Sequence, residues 1–291
     1  MGDVIYAPQA QYVLCDKFSS KTVDVSTGAP QGCVLSPTLY SLYTNDYRRH
    51  FDDTYVLKFA DDSSIIGLID SEENYGHYFE EVHNFVSWCK DNFLSVNVTK
   101  TKELVIDFRI IKNPFVPLEI ESKIVECVES YKYLGMTLDN ELNWHLHIST
   151  LCSKLSQRLY FLRKLKTFKI NADILNLFYS AMLQSLITFG ITCWGGSLLE
   201  GDSDLINSII HKAEKVIGRS LPNVSELYSV KAESKCKHII KDKSHPLHDE
   251  YVVSGRSMRY LTILCKTERY RNTFVPVTSK MLSSSKTVST E

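Results

Sequence analysis

The sequence predicts an α+β protein in which short strands and helices are followed by a mostly helical region. Up to about residue 142, short apolar runs alternate with turn-forming residues, as is typical of strands and hairpins. From Trp144 to about Gly195, apolar residues recur at helical spacing. We therefore expect domains over residues 1–142 and 143–222, followed by a basic, partly disordered tail over residues 223–291.

Composition narrows the class of protein. The 291 residues are 44% apolar and 23% charged, which is ordinary for a soluble globular protein. The net charge of -1 is unlike that of a dedicated nucleic-acid binder, so any basic surface must be local. Eight cysteines without a CxxC pair, and no signal peptide after Met1, predict an intracellular protein of the cytoplasm or nucleus that is not secreted. The longest apolar stretch, residues 181–194, is interrupted by polar residues, so we expect no membrane partner.

Turn-forming and helix-capping residues predict the first strands and the first helix. Residues 11–25 are extended around a polar centre and predict a hairpin. Residues 27–32 form a turn-rich loop with two glycines and a proline. Ser36 can cap a helix whose first position is Pro37, and that helix is expected to run towards Arg48.

Further elements follow from hydrophobic spacing. Strands are expected at residues 55–59 and 64–69, then a helix at 71–92, short strands at 94–98 and 103–108, and a strand pair within 125–138. Three helices follow, the third at about 205–217, and periodicity fades after Asn223.

The pair Asp61-Asp62 lies between two apolar strands, so both carboxylates are expected at a hairpin tip. Nucleotidyl transfer uses two divalent cations about 3.5–4 Å apart, and Mg²⁺ prefers hard oxygen ligands. An isolated Asp-Asp pair is more often a solvated turn, since Asp is common in turns. The glycine-rich loop upstream strengthens the catalytic interpretation, because it lets backbone approach a ligand just before a helix N-terminus.

The order of four motifs resembles the reverse transcriptases of non-LTR (LINE-type) retrotransposons. The sequence TGAPQGCVLSP at residues 27–37 is followed by a helix and then by FADD at residues 59–62. Residues 97–102, NVTKTK, are similar to the family's N-x-x-K-T segment, and residues 130–135, SYKYLG, resemble its primer-grip hairpin. Residues 187–195 and 267–276 resemble later segments of such elements. The resemblance implies a partial right-hand polymerase palm, an antiparallel sheet with helices, followed by an α-helical thumb-like region.

The resemblance also implies roles for individual residues. Asp61 and Asp62 would bind Mg²⁺, with Lys100 near the triphosphate. The incoming nucleotide and template would lie along the loop residues Gly28, Pro30, Gln31 and Gly32. The primer end would be supported by Tyr133, Leu134 and Gly135. An RNA template and a DNA primer are the implied partners, with no small-molecule cofactor.

One part of the family's site has no counterpart in these residues. The family's palm has another metal-binding aspartate on an earlier strand followed by a helix, whereas Asp3, Asp16 and Asp24 do not fit that pattern. Two carboxylates leave a two-ion site short of ligands. We therefore predict a fragment that does not polymerise DNA by itself.

Weaker signals leave alternatives open. Residues 149–171 are basic without an acidic residue, and Lys154, Arg158, Arg163 and Lys164 could contact nucleic-acid phosphates or form a solvated helix face. Metal-ligand types also occur together in the tail, although their spacing matches no zinc template: Cys236, His238, His245 and His248. A non-catalytic nucleic-acid-binding or interaction protein reusing the fold is the second hypothesis. The region from Trp144 to Phe178 also resembles the N-terminus of an AlkB homologue, without an iron-binding His-x-Asp…His pattern.

Overall fold

The computed structural model describes residues 9–25, 32–109, 116–254 and 260–284. It is an α+β protein, as the sequence predicts. The chain divides into two compact units, one of Met1–Thr101 with Val116–Glu126 and the other of Lys102–Phe115 with Cys127–Glu291. We call them the hairpin unit and the helical unit. The domain boundaries at residues 142 and 222 stay a prediction.

The elements are given in chain order. The strands are β1 Gln9–Gln11, β2 Leu14–Cys15, β3 Phe18–Ser19, β4 Val23–Val25, β5 Thr54–Phe59, β6 Asp62–Gly67, β7 Lys102–Glu103, β8 Glu119–Ile120, β9 Lys123–Ile124, β10 Glu126–Cys127, β11 Ser130–Tyr133 and β12 Met136–Asp139. The helices are α1 Ser36–Tyr43, α2 Glu72–Asp91, α3 His145–Thr167, α4 Ala172–Tyr179, α5 Ser185–Thr188, α6 Ile191–Trp194, α7 Glu200–Ile217, α8 Val224–Lys241, α9 Glu268–Arg271 and α10 Phe274–Ser284.

Antiparallel hairpins dominate the hairpin unit. The hairpin expected over residues 11–25 is confirmed as β2 paired with β3 inside the β1–β4 pair. The central hairpin pairs β5 with β6 from Thr54↔Gly67 to Phe59↔Asp62. Since isolated two-stranded sheets are marginal in water, its packing on α2 is what stabilises it.

Helix α2 confirms the helix expected over residues 71–92. Its N-cap is Ser71, whose hydroxyl accepts a hydrogen bond from the Asn74 amide at 3.2 Å. The helix buries Val82 and Val86 in a small apolar cluster with Leu118, Ile120 and Val125.

Four local expectations in this part of the chain are wrong. Residues 94–97 are irregular rather than a strand, because the chain turns at Asn97, whose backbone carbonyl accepts from the Lys100 and Thr101 amides. The strand expected over residues 103–108 is only Lys102–Glu103. Helix α1 ends at Tyr43, well short of Arg48, and Ser36 is its first helical residue rather than its cap.

The helical unit contains the β11–β12 hairpin, which confirms the strand pair expected there. Its two-residue turn is Leu134-Gly135, with φ of 45° and 88°. Positive φ at both positions is the pattern of a type I′ turn, whose twist matches that of the flanking strands.

A large apolar core joins the helices of this unit. Helices α3, α4, α7 and α8 contribute to it, and the π-helical turn Ser180–Gln184 continues α4 into α5. The fully buried side chains are mostly large: Ile148, Leu155, Leu162, Leu175, Tyr179, Leu183, Trp194, Ile206 and Ile210. In the described residues no single helix is long and apolar enough to cross a membrane. One bent pair of helices, Ala172–Thr188 with Ile191–Ser197, has the length and composition of a membrane span.

The expectation that helical order fades after Asn223 is wrong. Helix α8 follows directly, and its N-terminus is a capping box in which Asn223 and Glu226 each accept from the other's backbone amide at 2.9 Å. Helix α10 packs against α8. Within the expected tail, residues 224–241 and 274–284 are helical and residues 285–291 lie outside the described residues, so the partly disordered tail stays a prediction.

Candidate metal-binding hairpin and nucleic-acid interface

The turn between β5 and β6 consists of Ala60 and Asp61, because Phe59 pairs directly with Asp62. Both aspartates are exposed at this end of the hairpin. Ala60 has φ 51°, a left-handed conformation that costs an L-residue roughly 1–2 kcal/mol. The sequence placed both carboxylates in the turn, whereas Asp62 is the first residue of β6.

The base of the hairpin is fixed by a buried carboxylate. Glu81 of α2 is fully buried and accepts hydrogen bonds from the Tyr47 hydroxyl at 2.5 Å, the His50 amide at 2.8 Å and the Thr54 hydroxyl at 3.0 Å. Burial acts to raise the pKa of Glu81, but these hydrogen bonds outweigh it and the pKa is lowered. Since Thr54 begins β5, the charged form of Glu81 ties the hairpin to α2.

Lys58, one residue before the end of β5 at the turn, connects the hairpin to both neighbouring helices. Its ammonium donates to the carbonyl of Thr44, the C-cap of α1, and lies 5.5 Å from the Trp88 ring centroid on α2. Burial is the main reason that the pKa of Lys58 is lowered. Sequence reasoning missed this residue, although alternation along β5 puts Lys58 on the same face as Thr54.

The charge of Asp61 affects the pKa of Tyr40 on α1. The pKa of Tyr40 is raised, first by burial and then by the negative charge of Asp61. Helix α1, which follows the glycine-rich loop, therefore carries a hydroxyl whose pKa depends on the charge of Asp61. Sequence reasoning missed this residue as well, because helical spacing does not show which distant carboxylate a tyrosine meets.

Of the four loop residues expected along the nucleotide, the structure describes Gly32. Gly28, Pro30 and Gln31 lie outside the described residues. Gly32 has φ 78° and open space where a side chain would be. Lys100 is exposed, and its amide donates to the Asn97 side chain at 3.2 Å. The loop therefore holds Lys100 by its backbone.

The residues expected to support a primer end form the β11–β12 turn. Tyr133 and Leu134 are partly buried, and Gly135 is exposed at the tip. A side chain at Gly135 would lie 3.1 Å from the Phe189 ring. The turn thus rests on the segment just before α6, at a position that requires glycine by both conformation and space.

The basic residues of α3 are not equivalent. Lys154, Arg163 and Lys164 are exposed, whereas Arg158 donates a hydrogen bond to the Met182 carbonyl at 3.1 Å. Lys164 also lies 5.8 Å from the exposed Tyr160 ring. Residues five apart on a helix lie on different faces, so Arg158 and Arg163 do not share one stripe.

The candidate metal ligands of the tail do not converge. Cys236 is fully buried beside Tyr251, while His238 on the same helix is exposed. Across the described ranges, no three His, Cys, Asp or Glu side chains are arranged to hold a metal ion. Among the described residues these four therefore do not form a shared metal site, since the helix directs Cys236 into the core.

Comparison with known proteins identifies the class. Residues 6–138 match the family described as reverse transcriptase (RNA-dependent DNA polymerase). The chain is 26% identical over 151 residues to the RNA-directed DNA polymerase from mobile element jockey of Drosophila melanogaster, and 28% identical over 178 residues to the probable RNA-directed DNA polymerase from transposon BS of the same species. A third relative from that species, the probable enzyme from transposon X-element, is 25% identical over 204 residues.

Residues 6–138 are therefore a segment of the reverse transcriptase family. Within that family the chain's relatives are the enzymes of non-LTR retrotransposons, as the motif order indicated. The alignments cover 48%, 58% and 67% of this chain but only 16%, 20% and 22% of the relatives.

A second family match covers a short segment of the helical unit. Residues 144–185, which include α3, match the family described as alkylated DNA repair protein alkB homolog 8, N-terminal. This short match does not favour the alternative of a non-catalytic binding protein. No solved structure matches the chain.

Proposed function

We propose that this chain supplies the metal-binding hairpin and part of the template–primer interface of a retroelement reverse transcriptase. In this proposal residues 1–142 are a partial palm and residues 143–222 a thumb-like region. The observation that carries the proposal is the exposed Asp61-Asp62 end of a hairpin whose base is fixed by buried Glu81, within a segment that matches the family.

The hairpin fits one Mg²⁺ ion. Asp61 and Asp62 offer exposed carboxylate oxygens, and Mg²⁺ is commonly held by one or two carboxylates together with waters and substrate phosphates. When bound, such an ion neutralises developing charge on a transferring phosphoryl group. A second ion needs further oxygen ligands, so the isolated chain is not expected to extend a primer.

The remaining roles follow from the same proposal. Lys100 would contact the triphosphate, and Gly28, Pro30, Gln31 and Gly32 the nucleotide and template. The rigid turn at Tyr133, Leu134 and Gly135 would support the primer end. On α3, exposed Lys154, Arg163 and Lys164 would bind phosphates, while Arg158, already bonded to Met182, would contribute charge from a fixed position.

The test measures binding and synthesis on the same purified chain with a DNA primer annealed to an RNA template. Binding is followed by fluorescence anisotropy as NaCl is raised, and synthesis by primer extension with Mg²⁺. We expect salt-sensitive binding without extension. The double variant Arg163→Gln/Lys164→Gln should reduce the salt slope by roughly 0.7–0.9 for each lost phosphate contact.

The matched control is Lys90→Gln/Lys237→Gln, which removes the same charge from two lysines paired with Glu121 and Glu233. Its salt slope should stay at the wild-type value. Mn²⁺ broadening of NMR signals around the β5–β6 turn, lost in Asp61→Ala, would support the metal site, and absence of broadening would favour a non-catalytic binding protein. Mg²⁺-dependent extension that Asp61→Ala abolishes would overturn the predicted inactivity.

A further inference from the structure

A groove on the helical unit lies where α8 passes the junction of α5 and α6. Its volume is about 410 Å³, and it is lined on one side by Thr188, Gly190 and Thr192. The other side is one face of α8, made of residues at the helical spacing i, i+3, i+4 and i+7: Lys231, Ser234, Lys235 and His238. Ligand sites are typically about 300–1,000 Å³, so the groove has room for one nucleotide-sized group.

The charge of the groove is cationic and uncompensated. None of its lining residues is acidic. In the part of the chain that the structure describes, neither Lys231 nor Lys235 lies within 4.0 Å of a carboxylate oxygen. Lys237, on another face of α8, pairs with Glu233 at 2.6 Å. Because like charges four residues apart destabilise a helix, the groove face of α8 favours an anion between its lysines.

The hydrogen-bond donors that line the groove suit a phosphate. His238 Nδ1 lies 2.7 Å from the Ser234 carbonyl, which can only accept, so Nδ1 carries the hydrogen. Its Nε2 is then an acceptor, so the donors that the lining offers are the ammonium and hydroxyl groups. Ser234 and Thr192 add hydroxyls to the lining. Ammonium and hydroxyl donors around a concave surface match the oxygens of a phosphate group.

The shape of the groove depends on Gly190. This residue has φ 60° and is the N-cap of α6, and a side chain there would clash with the Met136 sulfur. Four residues of the motif ITFGITCWG, which the proposed metal hairpin does not use, line this side of the groove: Thr188, Gly190, Ile191 and Thr192. Its sharp turn brings Thr188 and Thr192 to face α8.

From this arrangement we infer that the groove between the α5–α6 junction and α8 binds a backbone phosphate of a nucleic-acid strand. The choice of a nucleic acid, rather than free phosphate, rests on the proposed function. None of the residues that line the groove belongs to α3 or to the Asp61-Asp62 hairpin, so the site adds a contact that the motifs alone did not indicate.

The experiment compares the full chain with Lys231→Gln/Lys235→Gln, using Lys90→Gln/Lys237→Gln as the charge-matched control. Anisotropy with the RNA–DNA hybrid gives the salt slope, and amide NMR signals of Gly190 and Thr192 are followed with inorganic phosphate as probe. We expect the groove variant to lower the slope by roughly 0.7–0.9 per lysine and the control to leave it unchanged. Phosphate should shift both amide signals in the wild type but not in the groove variant.

The outcomes separate the two proposals. If the wild type binds the hybrid and both double variants keep its slope, the groove assignment is overturned while the proposed function stands. If the wild type does not bind the hybrid but phosphate shifts Gly190 and Thr192, the nucleic-acid assignment and the proposed function both fail. Because the four lysines are exposed, unchanged circular dichroism melting is expected and checks that each variant folds.

Discussion

The two units of the chain are stabilised in different ways. In the hairpin unit, one face of β5 stays open to solvent, with Tyr55 45%, Leu57 49% and Phe59 63% exposed. In the helical unit, Trp194 and Tyr179 are completely buried in the large core. The hairpin unit relies on a polar network centred on Glu81, whereas the helical unit relies on apolar burial. The proposed metal ligands thus lie on the less deeply buried part of the molecule.

The largest expected effect tests the apolar half of this contrast. Leu162→Ala removes a fully buried side chain from the middle of the α3 core and should lower the free energy of unfolding by about 2–5 kcal/mol. Urea denaturation, followed by the helical circular dichroism signal at 222 nm, measures this loss in the free energy of unfolding. Hydrogen exchange of α3 and α7 amides shows whether it falls on the helical core.

Leu146→Ala is the matched control, because Leu146 is on the same helix and 45% exposed. Its effect should stay within about 0.5 kcal/mol. Equal losses for the two variants would mean that burial along α3 does not stabilise the helical unit.

The next effect tests the polar half of the contrast. Glu81→Gln replaces a carboxylate oxygen by an NH₂ group facing donors from Tyr47, His50 and Thr54, so at pH 7 we expect a loss of about 2–3 kcal/mol. The pKa of Glu81 is lowered on folding from its usual 4.5. Its stabilising effect is therefore present above pH 4.5 and is lost as the pH falls through the folded pKa.

Denaturation at pH 7 and at successively lower pH values measures this difference between wild type and variant. The difference should shrink on acidification, since protonated Glu81 also loses its charge. Glu80→Gln is the control, because Glu80 is exposed on the same helix. A difference that grows below pH 4.5 would contradict the network described for Glu81.

The contrast also explains which features the sequence could predict. Helices α2, α3 and α4 bury stripes of apolar residues at regular spacing, so their periodicity indicated them correctly. The Glu81 network joins residues 27 to 34 positions apart, and no local pattern shows such pairing. Helix α8 was missed because its apolar spacing is weak, although the capping pair Asn223 and Glu226 was readable in the sequence.

The candidate site was predictable in its residue types but not in its conformation. The motif FADD indicated a hairpin turn and two exposed carboxylates. It did not indicate that Ala60 takes positive φ, because alanine rarely does so. The neighbours Tyr40 and Lys58 likewise follow from packing of α1 and α2, which depends on contacts distant in sequence.

The smallest expected effect concerns that turn. Ala60→Gly removes the cost of a left-handed alanine, roughly 1–2 kcal/mol. It also destabilises the folded state by about 0.5–1 kcal/mol, because glycine has greater freedom in the unfolded chain. We expect a net gain of about 0–1.5 kcal/mol in the free energy of unfolding. Ala181→Gly, at an exposed position with negative φ, should instead lose about 0.5–1 kcal/mol.

Mn²⁺ broadening measured on the Ala60→Gly variant decides how the turn is related to metal binding. A gain in stability accompanied by weaker Mn²⁺ broadening around Asp61 would mean that the strained alanine holds the two carboxylates in place. A gain with unchanged broadening would mean that the β5–β6 pairing alone positions them. A loss of stability as large as that of Ala181→Gly would contradict the left-handed conformation of Ala60, since only a residue with positive φ gains from glycine there.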